Sequence, residues 1–377
     1  MRISIAGDFT PYHRIPRLAA EGKHEAVMGQ VSKSNQAFDY SIVNLECPIV
    51  TDEAQPIQKV GPNLKGDHHA VALLKSGGFN CVTLANNHVF DYGNEGIAST
   101  LRTLHEYGID HVGGGTDLAA ASQTLYKQFH GETVAIINCT EHEFSIATPH
   151  SGGANPIDPI SQYYAIQEAR GKADYVLVIV HGGIEYYDIP TPRMQATYRF
   201  FVDAGADAVV NHHQHRFSGY ELYHGHPIFY GLGNFCFDWP NLLHGGWNLG
   251  YMVGLILDKS GVTFQLMPYH QCGETPDIHF LEGEDRQPID ERMKEINAVI
   301  ADPHQMIESH QAFIARRSIG IRQLLSPYTS KTARTLCAKR LLPSLYPDKK
   351  IPLLLNQIEC ESHRERLIWE LKERLRH

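Results

Sequence analysis

Short apolar runs that are each followed by polar residues recur through the first part of the chain. Residues 3–6, 40–45 and 175–180 are examples, and the stretches between such runs have helical patterns. Runs of this length between turn residues are typical of buried strands. Strands that alternate with helices predict a layered α/β fold, in which ligands bind beyond the carboxyl ends of the strands. The residues that follow each run therefore form the candidate site.

Side chains that can bind metal ions follow five of these runs. A lone Asp or His at such a position is usually a turn former or a hydrogen-bonded rim residue, and a solvated histidine-rich loop is an alternative that residues 211–215 alone leave open. Ligand groups at five separate strand ends favour a site of oxygen and nitrogen ligands, which suits Zn, Mn or Fe. The candidates are Asp8, Glu46, Asn87 with His88, His181, and His213 with His215.

The spacing of His213 and His215 indicates how their side chains could share metal ions. His213 and His215 are two residues apart, so in an extended loop they would face the same way. They could then share one ion or bracket two. Neutral imidazole is the commonest protein ligand for zinc and also suits iron.

The composition is that of an ordinary globular protein of 377 residues, 42% of them hydrophobic and 20% charged. The seven cysteines are scattered and never form a Cys-x-x-Cys pair, which argues against a thiolate zinc site or a disulfide framework. The N-terminus enters a strand directly, and no run approaches the roughly 18 apolar residues of a membrane span. We therefore expect no signal peptide, no transmembrane segment and a cytoplasmic location.

Charge is distributed unevenly along the chain. Of the 33 Lys and Arg residues, 14 lie after residue 310, whereas only 6 of the 42 Asp and Glu residues do. The acidic body argues against nucleic acid as its ligand and favours the binding of cations. From about residue 285 the pattern becomes helical, so we predict a first domain over residues 1–284 and a helical appendage over 285–377. The basic helices could bind a protein partner, and a solvated surface is the alternative.

The residues around the predicted strand ends form a set of motifs in a fixed order. They are Gly7-Asp8, Asn44-Leu45-Glu46, Ala85-Asn86-Asn87-His88 with Asp91-Tyr92-Gly93, His181-Gly182-Gly183-Ile184-Glu185-Tyr186, His213-Gln214-His215 and Tyr230-Gly231-Leu232-Gly233-Asn234. As a set they resemble the CapA family of poly-γ-glutamate capsule synthesis proteins, within the calcineurin-like metallophosphoesterase superfamily. The resemblance covers about residues 1–255. It implies a four-layer α/β/β/α sandwich with a dinuclear metal centre, followed here by the helical appendage.

The resemblance also implies a role for each candidate. Asp8 and His215 would hold the first metal ion, Glu46 would bridge both ions, and His88 would be the general acid. The second ion would be held by Asn87, His181 and His213.

The sequence departs from the superfamily pattern at the first metal position. Thr10 stands where the superfamily has a histidine, and the bridging residue is Glu46 and not Asp. We therefore expect one or two divalent ions, Mn, Fe or Zn. His212 is an additional, weaker ligand candidate.

Three further residues are predicted to contact substrate. Glu185 and Tyr186 would line the pocket, with support of the metal ligands as the alternative, and Asn234 would contact substrate or close a turn. Asp91 would cap the following helix or orient His88.

The function that the resemblance implies is a metal-dependent hydrolase, phosphoesterase-like, in the synthesis of a capsule or surface polymer, either poly-γ-glutamate or polysaccharide. Its substrate would be an anionic polymer or a phosphorylated small molecule. The alternatives are a metal-dependent amidase that cleaves γ-glutamyl bonds, and a non-catalytic component of a polymer-synthesis complex.

Overall fold

The computed structural model describes residues 1–240, 246–324, 326–344 and 350–374. Contacts within the chain divide it into two compact units, Met1–Ile307 and Glu308–His377. The first unit is built on two large sheets, and the described part of the second unit is helical.

The first sheet positions the amino-terminal half of the candidate site. β1, β2, β3 and β4 run parallel to one another, and β13 also runs parallel to the end of β1. Asp8 of β1 therefore pairs in register with Asn44 on one side and with Asn234 on the other. In spatial order the strands are β16 (Ile278–Phe280), β15 (Gly261–Gln271), β14 (Leu249–Asp258), β1 (Arg2–Thr10), β2 (Tyr40–Leu45), β3 (Cys81–Thr83) and β4 (Asp110–Val112), with β13 (Asn234–Phe237) beside β1.

The second sheet positions the histidines. Its four central strands are parallel, and the antiparallel strands β11 and β6 form its edges. His181, the last residue of β9, pairs with His212 at the end of β10. The order is β11 (Tyr220–Tyr223), β12 (His226–Phe229), β10 (Ala208–His212), β9 (Tyr175–His181), β7 (Glu132–Thr140) and β6 (Leu125–Phe129); β5 (Gly114–Gly115) and β8 (Gly153–Ala154) form a separate small ribbon.

Helices connect the strands and form the outer layers of the first unit. They are α1 (Ile15–Ala20), α2 (His24–Asn35), α3 (His68–Ser76), α4 (Gly93–Glu106), α5 (Leu118–Ala121), α6 (Pro159–Arg170), α7 (Pro192–Asp203) and α8 (Gly283–Ala301). The remaining helices are α9 (Pro303–Leu324), α10 (Lys331–Ala338), α11 (Ile351–Glu359) and α12 (Glu361–Arg374). No helix within the described ranges is both long and apolar enough to cross a membrane.

The layers follow from the burial of both faces of the sheets. Helices α1 to α4 share one hydrophobic core with the first sheet, whereas α6 and α7 pack on the second sheet. In β1, Ser4 faces α2 through a 3.0 Å hydrogen bond to Asn35, and the alternate residues Ile3 and Ile5 are fully buried on the opposite face. The two sheets contact each other through β4 and β7 and through β12 and β15. This order of helix, sheet, sheet and helix confirms the predicted fold class.

The prolines and glycines of residues 141–165 predict a long loop from composition alone. This prediction is wrong, because α6 begins within that segment at Pro159. Proline is well tolerated at the first position of a helix because its missing N–H would have no helical partner there. Asp158 caps the helix by accepting hydrogen bonds from the backbone N–H groups of Ile160 and Ser161.

Helix α8 packs within the first unit, although it lies beyond the predicted boundary at residues 284 and 285. Its buried side chains are Ile289, Met293, Ile296 and Ile300. Hydrogen bonds join it to α7 and to β11: Gln195 of α7 donates to the Ile300 carbonyl at 3.0 Å, and the Tyr220 N–H of β11 donates to Asn297 at 2.8 Å. The boundary at residue 284 stays a prediction, and these contacts favour a later one.

Two truncations test where the first unit ends. We expect residues 1–307 to unfold cooperatively, and residues 1–284 to lose several kcal/mol of stability. Each of the four buried side chains of α8 contributes about 1.5–3 kcal/mol when it is removed from water. Urea unfolding followed by circular dichroism measures the difference. Equal stability of the two fragments would contradict the placement of α8 in the core.

Candidate metal centre

Strand ends from both sheets converge on one buried cluster of side chains. Asp8 lies near the end of β1, Glu46 directly follows β2, and His181 ends β9. The Glu46 N–H donates to the Phe9 carbonyl at 2.9 Å, which fixes Glu46 beside β1. Because β1 and β2 are parallel, their carboxyl ends deliver both carboxylates to the same edge.

The cluster contains two groups of potential ligands that share one residue. The first is Asp8, Glu46 and His215, and the second is Glu46, His181 and His213. Within each group the ligand atoms all lie within 4.8 Å of one another, and every member is buried. Five of the residues predicted from the sequence are thus brought together by the fold. Glu46, for which the family resemblance implied a bridging role, belongs to both groups.

The distances within the groups match those between ligands of a single ion. His181 Nε2 lies 3.1 Å from His213 Nδ1 and 3.6 Å from Glu46 Oε1. His215 Nε2, the nitrogen that does not face Asn234, lies 3.9 Å from Glu46 Oε1. Oxygen and nitrogen ligands that bind an ion at about 2.1 Å lie about 3–4 Å from each other.

Glu46 is the residue that most clearly fits a cation. Its side chain is fully buried, and neither carboxylate oxygen has a hydrogen-bond partner among the described residues. Burial raises the pKa of Glu46 well above its ordinary value, and the nearby carboxylate of Asp8 raises it further. An ionised carboxylate in such a place needs a compensating positive charge, and a divalent ion on each side would supply it.

The histidines are held in the form that binds metal ions. Burial lowers the pKa of His181 and of His213, and it lowers that of His215 to about 4. The neighbouring imidazoles lower the pKa of His181 further. Neutral imidazole has a free lone pair, whereas imidazolium has none. The donor set therefore fits Zn, Mn or Fe.

The loop after β10 is not extended, contrary to the assumption made from the spacing of its histidines. His213 and His215 both have positive φ, 96° and 55°, which is rare for residues other than glycine and costs energy. The two imidazoles belong to different ligand groups and so bracket Glu46. The His213 N–H also donates to Asp8 Oδ2 at 3.2 Å, which ties the loop to β1.

Asparagine side chains form hydrogen bonds with two of the candidate ligands, Asp8 and His215. Asn44 donates to Asp8 Oδ1 at 2.8 Å, and its own carbonyl oxygen accepts hydrogen bonds from Thr83 and Asn86. The side-chain oxygen of Asn234 lies 2.9 Å from His215 Nδ1. Such contacts orient ligands and raise their affinity for the metal ion.

Two residues near the cluster have other partners. Thr10 donates to the Glu46 carbonyl at 3.4 Å, and His212 Nε2 lies 2.9 Å from the Ala6 carbonyl. Neither residue belongs to the two ligand groups. His212 thus ties the end of β10 to β1.

Asn87 and His88 lie at the rim of the cluster. The Asn87 side-chain oxygen is 3.1 Å from His181 Nε2, and its nitrogen donates to Glu143 at 3.3 Å. His88 Nδ1 lies 2.7 Å from Asp91 Oδ2. Of the two roles predicted for Asp91, the structure shows the one that orients His88, because α4 has no side-chain cap.

Lys59 is a component of the site that the motifs did not indicate. Its side chain is only 2% exposed, it forms an ion pair with Asp91, and its ammonium nitrogen lies 3.1 Å from His88 Nδ1. Lys59 belongs to the segment between β2 and α3, which has no regular structure and no strand end. A buried lysine requires a partner of opposite charge, but no local pattern in the sequence identifies Asp91 as that partner.

The predicted substrate residues fall into two environments. Tyr186 is half-buried and its ring stacks on Trp247 at 6.1 Å, and Trp247 in turn lies 5.0 Å from the His215 ring. Glu185 is near enough for its charge to raise the pKa of His213. Asn234, in contrast, is fully buried and donates to the His215 and Trp247 carbonyls. Contact of all three with substrate stays a prediction, and the position of Asn234 favours orientation of His215.

Comparisons with known proteins agree with the motifs. The family described as "Bacterial capsule synthesis protein PGA_cap" matches residues 2–239, which is more than half of the chain. "Capsule biosynthesis protein CapA" of Bacillus anthracis is 32% identical over 246 residues, covering 63% of this chain and 60% of that protein. "PGA biosynthesis protein CapA" of Bacillus subtilis is 32% identical over 238 residues, covering 62% of this chain and 63% of that protein. The chain therefore spans less than two thirds of the length of these curated relatives.

A comparison with solved structures gives a weaker likeness. The crystal structure of a phosphatase from Mycoplasma pneumoniae aligns with a TM-score of 0.43 and 15% sequence identity. The alignment covers 71% of this chain and 92% of that one.

A substitution at Asn234 tests its role. We expect Asn234→Ala to weaken Mn²⁺ binding about tenfold or more, because His215 would lose the acceptor that orients its ring. Titration calorimetry on chelator-treated protein measures the affinity, and the exposed residue Asn356 offers a matched control, Asn356→Ala. Unchanged Mn²⁺ affinity in a folded Asn234→Ala variant would contradict the orienting role and leave substrate contact as the explanation.

Proposed function

The chain belongs to the PGA_cap family of bacterial capsule synthesis proteins, and on that premise we propose that it is a metal-dependent hydrolase. Its substrate would be an anionic polymer or a phosphorylated small molecule used in the synthesis of a capsule or another surface polymer. The observation that carries this proposal is the position of Glu46, which is shared by two groups of metal ligands and has no other partner among the described residues.

The ligand set supports a dinuclear site. Asp8, Glu46 and His215 would hold one ion, and Glu46, His181, His213 and Asn87 would hold the other. Two divalent ions, when bound, would activate water and stabilise the charge that develops on the attacking and leaving oxygens. The half-buried side chains of Tyr186 and Glu185 would contact the substrate.

His88 is the residue best placed to move a proton. It is near enough to His181, His213 and His215 for its charge to lower their pKa values, yet its Nδ1 is engaged by Asp91 at 2.7 Å. A histidine that donates one N–H to a carboxylate presents its other nitrogen in a defined state and direction. We assign Nε2 of His88 to protonate the leaving group.

Lys59 would complete this arrangement as a positioning residue. It forms an ion pair with Asp91, whose other oxygen accepts from the Leu64 N–H at 2.7 Å as well as from His88. The ammonium group stabilises the charge of Asp91 in a buried place, and Asp91 in turn fixes the His88 ring. The burial of Lys59 excludes water from this side of the site.

Substitution of His88 separates catalysis from metal binding. We expect His88→Ala to lower kcat by about 10²–10⁴-fold, the usual contribution of a general acid, and to retain the metal content of the wild type. Bis(p-nitrophenyl) phosphate and a γ-glutamyl p-nitroanilide serve as probes for the two reaction types. Elemental mass spectrometry measures bound metal, and the exposed histidine His224 supplies the control His224→Ala.

The outcomes of this experiment distinguish the alternatives. Loss of metal from His88→Ala equal to that from His213→Ala would contradict the assigned role. Wild-type protein that binds metal but turns over neither probe would favour a non-catalytic component of a polymer-synthesis complex. Lys59→Met extends the test. If Lys59 acts through His88, the double variant Lys59→Met/His88→Ala should lose little more kcat than His88→Ala alone.

A further inference from the structure

A cavity is lined by residues of α8 and by Arg216, which directly follows His215 in the chain. Its volume is about 200 Å³, and its described lining includes Arg216, Arg292 and Asp188. Apolar side chains, among them Phe217, Leu249 and Ile289, form much of the remaining wall. None of these residues has a part in the proposed chemistry.

The two arginines of this cavity differ in their partners. Arg292 is neutralised, because one terminal nitrogen lies 2.6 Å from Asp188 and the other lies 2.8 Å from Glu295. Arg216 Nε is buried and has no hydrogen-bond partner within the described part of the chain. Since Asp188 is already engaged by Arg292, the cavity contains one guanidinium without a counter-ion among its described lining residues. An unsatisfied buried donor is costly and requires an acceptor.

The position of Arg216 connects this cavity with the metal cluster. It directly follows His215, and its side chain lies against Gly246, where an added Cβ atom would be 3.5 Å from Arg216 Nη1. Gly246 directly precedes Trp247, whose ring lies 5.0 Å from that of His215. The loop that carries the metal-ligand candidate His215 therefore also carries the guanidinium of the cavity.

From these contacts we infer that the cavity is a binding subsite for a carboxylate carried on a short aliphatic stem. The guanidinium of Arg216 pairs with the carboxylate through charge-assisted hydrogen bonds. The apolar wall packs against the methylene groups of the stem, which favours this ligand over a bare inorganic anion. The inference goes beyond the proposed hydrolase activity and does not rest on it, because the subsite would bind its ligand without turnover.

Binding of a small dicarboxylate to the full chain tests the inference. We expect glutarate to bind the wild-type protein, and 1,5-pentanediol, which has the same carbon chain without charge, to bind at least about tenfold more weakly. Arg216→Met keeps the apolar stem of the side chain and removes its charge, so it should weaken glutarate binding about tenfold or more. Arg216→Lys should retain part of the affinity. Titration calorimetry measures binding, and thermal unfolding shows that the variants are folded.

Two controls identify the place and the chemistry of binding. His213→Ala perturbs the metal cluster but not Arg216, so it should leave glutarate binding unchanged. Binding that is lost in His213→Ala and kept in Arg216→Met would place the carboxylate on the metal cluster and overturn the inference. The assignment to a carboxylate would be overturned if inorganic phosphate bound more tightly than glutarate and if that binding depended on Arg216. Equal affinities for glutarate and 1,5-pentanediol would overturn it as well.

Discussion

A buried carboxylate without a hydrogen-bond partner is the feature on which the site depends. Glu46 lies where the ends of β1, β2 and β9 meet. Its Oε1 lies 3.6 Å from His181 Nε2 and 3.9 Å from His215 Nε2, and neither of its oxygens has a hydrogen-bond partner among the described residues. Burial of such a group is unfavourable unless a positive charge compensates for it. The surrounding histidines do not supply that charge, because burial lowers their pKa values. Bound cations would supply the charge that an ionised Glu46 requires.

The architecture explains how the ligands are delivered. Each sheet is parallel in the region that carries ligands, so the polar residues after its strands collect at one edge, and the packing of the two sheets brings the two edges together. Cross-strand hydrogen bonds then fix the geometry. Asn44 holds Asp8, the loop N–H of His213 also holds Asp8, and His212 ties β10 to β1. Ligands supplied by a rigid scaffold lose little entropy when an ion binds.

Much of this could be predicted from the sequence, since strand ends and motif order are local properties. Asp8, Glu46, His181, His213 and His215 are brought together as the strand pattern implied. Other features depend on tertiary structure and leave no local signal. The positive φ values of His213 and His215 decide which imidazole joins which group. Lys59 enters the site from an irregular segment, and its partner Asp91 is distant in sequence. Pro159 begins a helix inside a segment whose prolines and glycines predict a loop, because proline suits both positions.

Anomalous diffraction from crystals grown with Mn²⁺ would test the central claim most directly, because it locates each ion among its ligands. The account predicts two peaks about 3.5–4 Å apart, one among Asp8, Glu46 and His215 and the other among Glu46, His181 and His213, with Glu46 bound to both ions. A single peak among the second group would mean that Thr10, in place of a histidine, leaves the first position too weak. Absence of any peak at Glu46 would contradict the account.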